Sequence, residues 1–248
     1  MTNGHPPAVT FERVSKSFGE KHVLSDVSWS VPEGEAVCIL GRSGTGKSVT
    51  LKLIIALLKP DQGSIRIDQE EVSRLEGPRL STVRRKIGYL FQDAALFDSL
   101  TLYENLAMPL TRLTQKPRGE VDYLVDRVLG QVGLADDKAK MPSELSGGMR
   151  KRAGLARALV LEPKILLADE PGSGLDRITA SEIDELLLRQ KTEHKTTLIV
   201  VTHDVHGARR VADRVVVLDR GRLIAQGTVA EIENNDNDVA RKLIGSDE

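Results

Sequence analysis

At 248 residues the chain is long enough for one large α/β domain or two small ones with an ample core. Its 35 Lys and Arg against 36 Asp and Glu leave a formal net charge of -1, so no basic field invites nucleic acid or an anionic membrane surface. The one cysteine, Cys38, cannot form an internal disulfide and reads as a small core residue in a reducing compartment.

No basic-then-apolar stretch opens the chain, and no apolar run approaches a membrane span, so any membrane crossing is expected from another chain. Residues 1–8, with Gly4, Pro6 and Pro7, read as a loose start. Residues 9–14 and 27–31 alternate apolar with polar, the period of a half-buried strand. Between them, Lys16, Ser17, Phe18, Gly19 and Glu20 read as a turn carrying an exposed aromatic. Pro32, Glu33 and Gly34 turn the chain into an apolar run, Ala36-Val37-Cys38-Ile39-Leu40. That run leads into Gly41-Arg42-Ser43-Gly44-Thr45-Gly46-Lys47-Ser48, and Val49, Leu51, Leu53 and Ile54 follow at helical spacing.

Strand, glycine turn, then helix is the setting in which a G-x-x-x-x-G-K-[ST] match reads as a phosphate-binding loop. Glycines let the backbone curl so that N–H groups point inward, and the helix start adds its free N–H groups and positive dipole end. A polyphosphate is the natural occupant, with Lys47 reaching the outer phosphates and the Ser48 hydroxyl holding Mg²⁺. The chain is therefore expected to bind a nucleoside triphosphate.

After Pro60-Asp61-Gln62-Gly63 breaks the chain, residues 64–68 alternate again, with Ile65 and Ile67 on one face. Residues 87–91 form a short apolar strand ending at Gln92. From there to about Pro163 the pattern turns helical. Val121, Leu124, Val125, Val128, Leu129 and Val132 make an amphipathic stripe, Gly133 supplies a stop, and residues 149–161 are rich in good helix formers. This region reads as a helical subdomain inserted into a sheet domain. Beyond it, residues 165–168 and 197–201 are continuous apolar runs, as in strands covered on both faces of a parallel sheet. Ile183, Leu186 and Leu187 mark a helix between them. Residues 215–218 and 222–225 pair across the turn signal Asp219-Arg220-Gly221. The tail after Thr228 is polar, and its Asn and Asp run at 234–238 reads as a solvated loop rather than a site.

A phosphate loop needs a second carboxylate site for its metal. The apolar run at 165–168 ends in Asp169-Glu170, so Asp169 is placed to hold Mg²⁺ and Glu170 to orient and polarise an attacking water. At this point Leu145-Ser146-Gly147-Gly148-Met149, just before a helix and upstream of the Asp-Glu strand, resembles the Leu-Ser-Gly-Gly-Gln signature of ATP-binding cassette (ABC) transporter ATPases. Ser146, Gly147 and Gly148 expose N–H groups at a helix start, a second phosphate cradle.

The resemblance covers residues 9–231 and implies an α/β P-loop NTPase fold. A RecA-like, mostly parallel sheet core would carry an antiparallel β subdomain and an inserted helical subdomain. The whole would be one ABC ATPase domain over 9–248: sheet core at 9–92 and 164–231, helical signature subdomain at 93–163, polar C-terminal tail at 232–248. The implied cofactors are ATP and Mg²⁺. By residue, Phe18 matches the aromatic stacked on adenine, Gln92 the glutamine that touches Mg²⁺ and senses the membrane partner, Asp176 the loop crossing the dimer interface, and His203 the contact to the terminal phosphate. Gly41 to Ser48 of one copy and Ser146 to Gly148 of a second would sandwich each nucleotide. Met149 for Gln, Gly172 for Thr and Arg177 for Pro depart from the broad family pattern.

Phe91-Gln92-Asp93-Ala94-Ala95-Leu96-Phe97-Asp98-Ser99-Leu100-Thr101 and Leu-Ser-Gly-Gly-Met-Arg-Lys-Arg at 145–152 are similar to the lipid-trafficking branch of bacterial cassette ATPases, where Met is the common signature residue. Ala94, Ala95, Leu96 and Phe97 would either receive a short helix of a membrane subunit or pack as ordinary core. The resemblance implies ATP-driven phospholipid transport through an integral membrane permease, with the chain peripheral on the cytoplasmic side of the inner membrane. It also implies MCE-type substrate-binding and small regulatory subunits as further partners. Transport of another small solute stays open, and a cassette acting on DNA or ribosomes ranks far below both.

Overall fold

The computed structural model describes residues 6–245, so residues 1–5 of the expected loose start and 246–248 of the expected tail lie outside the described residues. Chain order is β1 (Val9–Phe18), β2 (Lys21–Val31), β3 (Ala36–Leu40), α1 (Lys47–Ile54), β4 (Gln62–Ile67), β5 (Glu70–Glu71), α2 (Gly77–Arg85) and β6 (Ile87–Leu90). Then come α3 (Leu102–Leu113), α4 (Arg118–Gln131), α5 (Gly147–Leu159), β7 (Ile165–Asp169), α6 (Arg177–His194) and β8 (Thr197–Val201). The chain closes with α7 (Val205–Val211), β9 (Arg214–Asp219), β10 (Arg222–Gly227), α8 (Val229–Glu233) and α9 (Asp238–Gly245).

The strands divide into an antiparallel sheet, β2-β1-β4-β5, and a second sheet ordered β10-β9-β3-β8-β7-β6. All neighbours in the second sheet are parallel except the edge pair β10 and β9. Every residue of β3, β7 and β8 is buried, which is why their runs are apolar without interruption. Side-chain alternation then sorts them between two cores. Val37 and Ile39 of β3 join Ile165 and Leu167 of β7 and Ile199 and Val201 of β8 in a core roofed by the antiparallel sheet and α1. Cys38 and Leu40 join Leu166, Ala168, Leu198 and Val200 in the opposite core, which is continuous with the apolar faces of α3, α4 and α5. The inserted helices thus share their core with one face of the parallel sheet.

Three local expectations are corrected. Residues 16–18 are strand, and the turn is only Gly19 and Glu20. Asp61 holds that strand end, accepting from Lys16 Nζ at 2.7 Å and from the Ser17 N–H at 2.6 Å. The loose start ends by Ala8, which is buried and donates its N–H to the Val31 carbonyl at 2.8 Å. The polar tail is folded: Thr228 and Glu231 close a capping box at α8, and Asn237 accepts from the Val239 and Ala240 N–H groups at the start of α9. Ile232, Ala240 and Ile244 reach the core, so only residues 234–237 behave as the expected loop.

Candidate nucleotide site

The glycine turn between β3 and α1 rims an open cavity of about 680 Å³. Gly46 has φ 100°, and a Cβ there would sit 2.8 Å from Leu24 Cδ2 and 2.9 Å from the Val23 carbonyl, so only glycine fits. Thr45 Oγ1 donates to the Arg42 carbonyl at 2.9 Å, pinning the curl. Lys47 is 8% exposed and folds along the loop, donating from Nζ to the Gly41 carbonyl at 2.8 Å and the Arg42 carbonyl at 3.3 Å. Ser43, Gly44, Lys47 and Ser48 line the cavity floor, while Phe18 stands at its edge, 47% exposed, with Lys16 Nζ 5.5 Å from its ring centroid.

Gln92, Glu170 and His203 line the same cavity, although they follow three different strands: β6, β7 and β8. Parallel strands deliver their carboxyl ends to one edge, which is how residues far apart in sequence meet. Glu170 sits at φ 49°, a left-handed conformation unusual for a side chain with a Cβ. Its N–H donates to the Val201 carbonyl at 2.8 Å, tying the ends of β7 and β8. Its Oε2 lies 2.7 Å from His203 Nδ1 and accepts the His203 backbone N–H at 3.3 Å, while Oε1 lies 3.7 Å from Lys47 Nζ. The carboxylate is therefore held by two cationic or donor groups and faces the cavity.

Ser48 Oγ donates to Asp169 Oδ1 at 2.8 Å, and the Tyr89 hydroxyl donates to Asp169 Oδ2 at 3.3 Å. Burial pushes the Asp169 carboxyl above the ordinary range, against the lowering pull of those two hydrogen bonds. Burial likewise raises the Tyr89 phenol, reinforced by the neighbouring Asp169. A hydroxyl, a carboxylate and an exposed amide (Gln92) are hard oxygen donors at the edge of a glycine cradle. That donor set fits Mg²⁺ carried on nucleotide phosphates, which needs only one or two protein ligands.

The second cradle lies elsewhere. Ser146 caps α5, its Oγ accepting the Met149 N–H at 3.2 Å. Gly147 lines a separate cavity of about 350 Å³ with Ser173 and Leu175, and Gly148 packs against Thr179, whose Cγ2 would lie 2.5 Å from an added Cβ. Asp176 caps α6, accepting from the Ile178 and Thr179 N–H groups at 3.0 Å each. Ser146, Gly147, Gly148 and Asp176 do not line the phosphate-loop cavity; Gln92 lines both.

Two departures from the broad family pattern gain a local account. A Cβ at Gly172 would lie 3.2 Å from the Ala180 Cβ, so glycine lets α6 approach closely. Arg177 is the first residue of α6, a place where proline is tolerated because its missing N–H has no helical partner. Lys151 was not singled out by the sequence pattern. It is 6% exposed and bonds to three loops of the site. Its signal was position: Lys151 shares a helix stripe with buried Gly154 and Leu155, three and four residues on.

Comparison with known proteins agrees with this geometry. The ABC transporter family model matches residues 24–173. "Probable ribonucleotide transport ATP-binding protein mkl" of Mycobacterium tuberculosis is 43% identical over 245 residues, covering 98% of this chain and 68% of that protein. "Methionine import ATP-binding protein MetN 1" of Pseudomonas putida is 39% identical, covering 90% of this chain and 68% of the relative. Among solved structures, a dimeric ATP-binding cassette in a post-hydrolysis state bound to ADP and phosphate matches with a TM-score of 0.83 at 35% identity, covering 89% of this chain and 98% of that one. A phosphate loop backed by an Asp-Glu strand end, in a chain matched along nearly its whole length by such relatives, belongs to the ABC transporter family: it is an ATP-binding, ATP-hydrolysing subunit that works with ATP and Mg²⁺.

Proposed function

We propose that this subunit powers phospholipid movement through an integral membrane permease, and that it works as a pair of copies. The observation that carries the paired reading is the split site: Lys47, Ser48, Glu170 and His203 share one cavity, while Ser146 and Gly147 are not among the residues that line it. A second copy, related by a two-fold axis, would present its Ser146 to Gly148 to the first copy's nucleotide. Gly41 to Gly46 supply N–H donors to the phosphates, with Arg42, Ser43, Gly44 and Thr45 shaping the curl, and Phe18 offers a face to the base. When bound, Mg²⁺ neutralises phosphate charge, held by Ser48 and Asp169 with Gln92 nearby. Glu170 orients the attacking water and accepts its proton. His203 holds Glu170 in place from one side and reaches toward the terminal phosphate from the other.

The lipid cargo rests on the signature stretch at 145–152, with Met149 where the broad family has Gln. MCE-type and small regulatory subunits complete the proposed assembly. Among the described residues no helix is long and apolar enough to cross a membrane. In this reading the chain attaches peripherally through the permease, on the cytoplasmic face of the inner membrane. The methionine-import relatives favour a second reading, the same motor with a small polar solute as cargo. Purification of the native complex followed by mass spectrometry separates the two. Bound phospholipid with a permease supports the first reading; a permease carrying an amino acid and no lipid overturns it.

A further inference from the structure

α5 places a cation inside the molecule. Lys151 Nζ donates to the Gln92 carbonyl, to the Glu170 carbonyl at 3.0 Å and to Ser173 Oγ at 3.2 Å. An ammonium has three donors, and this one meets three acceptors. They come from three separate segments: the loop after β6, the residue after β7, and the loop that leads into α6. Burial pushes the Lys151 ammonium below its ordinary pKa, and the charges of Asp93, Glu170 and Asp169 offset part of that. An aliphatic side chain of the same length would fill the space without burying a charge, but would leave these three acceptors without this donor. What the ammonium adds is direction.

That direction matters most at Glu170. Its left-handed φ of 49° aims the carboxylate at His203, and such a conformation persists only where neighbours hold it. The Glu170 N–H is held by the Val201 carbonyl, and its own carbonyl is held by Lys151, so the residue is clamped on both sides. The same ammonium anchors the Gln92 and Ser173 loops to the helix whose first turn carries Ser146 and Gly147.

We propose that Lys151 is a positioning residue that fixes Glu170 in its working conformation and locks the Gln92 and Ser173 loops to the signature helix. This rests on the reading of Glu170 as the water-orienting base. Lys151→Met keeps the stem and removes the donors. The full-length chain is expected to lose at least about tenfold in kcat for ATP hydrolysis while KM for ATP moves less than about twofold. In the nucleotide-free protein, the amides of residues 92–94 and 172–175 are expected to exchange about tenfold faster, with those of β3 and β8 unchanged. Lys151→Gln, which keeps two donors, restores part of both.

A wild-type kcat in Lys151→Met, a loss confined to KM, or unchanged exchange in both loops overturns the proposal. If the Met variant does not fold, the Gln variant is judged by the same split, and a wild-type rate together with wild-type exchange there overturns it as well. Glu170→Gln is run in parallel. Full activity in that variant removes the base reading, and the exchange measurement still decides the clamp. An inactive Glu170→Gln beside a fully active Lys151→Met overturns the clamp alone.

Discussion

At the scale of single residues, the site is a set of carboxylates in different surroundings. Asp169 bonds to Ser48 and Tyr89, and Glu170 to His203 and Lys47. A third acid, Asp184 on α6, has no such donor among the described residues. Burial, with Asp204 and Glu185 adding to it and Arg210 opposing, pushes its carboxyl from 3.8 up to about 6. The folded state therefore holds this proton more tightly than the unfolded chain does. Its stabilising effect is complete below about pH 4 and is lost as pH rises toward 6. Asp184→Asn is expected to shrink the stability lost between pH 4.5 and pH 7 by on the order of 1 kcal/mol, since partial solvent contact screens the full shift. Urea unfolding at the two pH values measures this; an unchanged difference between them would show that Asp184 titrates like an ordinary carboxylate.

At the scale of elements, the stretch from Ala94 to Phe97 answers a question its sequence left open. Ala94 is buried, and Leu96 is half-buried against the helical core, so these two are packing residues. The close approach is at Gly154 of α5, where an added Cβ would lie 2.8 Å from the Ala94 Cβ. Ala95 and Phe97 instead border a groove of about 490 Å³ between β6, α3 and α5, beside Met108 and Leu113. Phe97 is 49% exposed there, with the Arg157 guanidinium 6.0 Å from its ring centroid. The groove is where the proposed permease helix would dock. Phe97→Asp is expected to release the permease, at least about a hundredfold in affinity if this ring is a central anchor, while the isolated chain keeps its melting temperature. Pull-down of the permease from detergent extract checks this. A complex that survives intact places docking elsewhere. The corresponding change at Leu96 would press a charge against the helical core and destabilise the isolated chain, so it is the poorer test of docking.

At the scale of the whole molecule, the separation of the phosphate loop from the proposed second cradle at Ser146 to Gly148 makes a prediction about pairs. Lys47→Ala removes the donor to the outer phosphates, and Ser146→Arg fills the second cradle; each variant alone should be inactive. Mixed together, they form dimers in which one composite site has both parts intact. ATP hydrolysis is expected to reappear in the mixture and to follow the fraction of mixed dimers. If the mixture stays as inactive as its components, each chain uses its own Ser146 or none, and the sandwich reading fails.

Much of this was legible in the chain itself. Strand, glycine turn and helix at 36–54 are local features, because propensity, turn chemistry and apolar spacing act over neighbouring residues. The unbroken apolar runs of β7 and β8 announced a parallel sheet covered on both faces. Other elements had signals that composition masked. Thr228 and Glu231 form the capping box of α8 inside a tail read only as polar, and Thr101 and Glu104 form that of α3 inside a region read as helical without a stated start. Long-range geometry was out of reach of the pattern. That β1 continues to Phe18 depends on Asp61, far along the chain. That Lys151 touches Gln92, Glu170 and Ser173 depends on α5 crossing the ends of β6 and β7. The sequence by itself marked the candidates for phosphate binding and cleavage, because each of those motifs is contiguous. Only the tertiary structure decided which of them share a cavity and which lie outside it, because that depends on where parallel strand ends and helix starts converge in space.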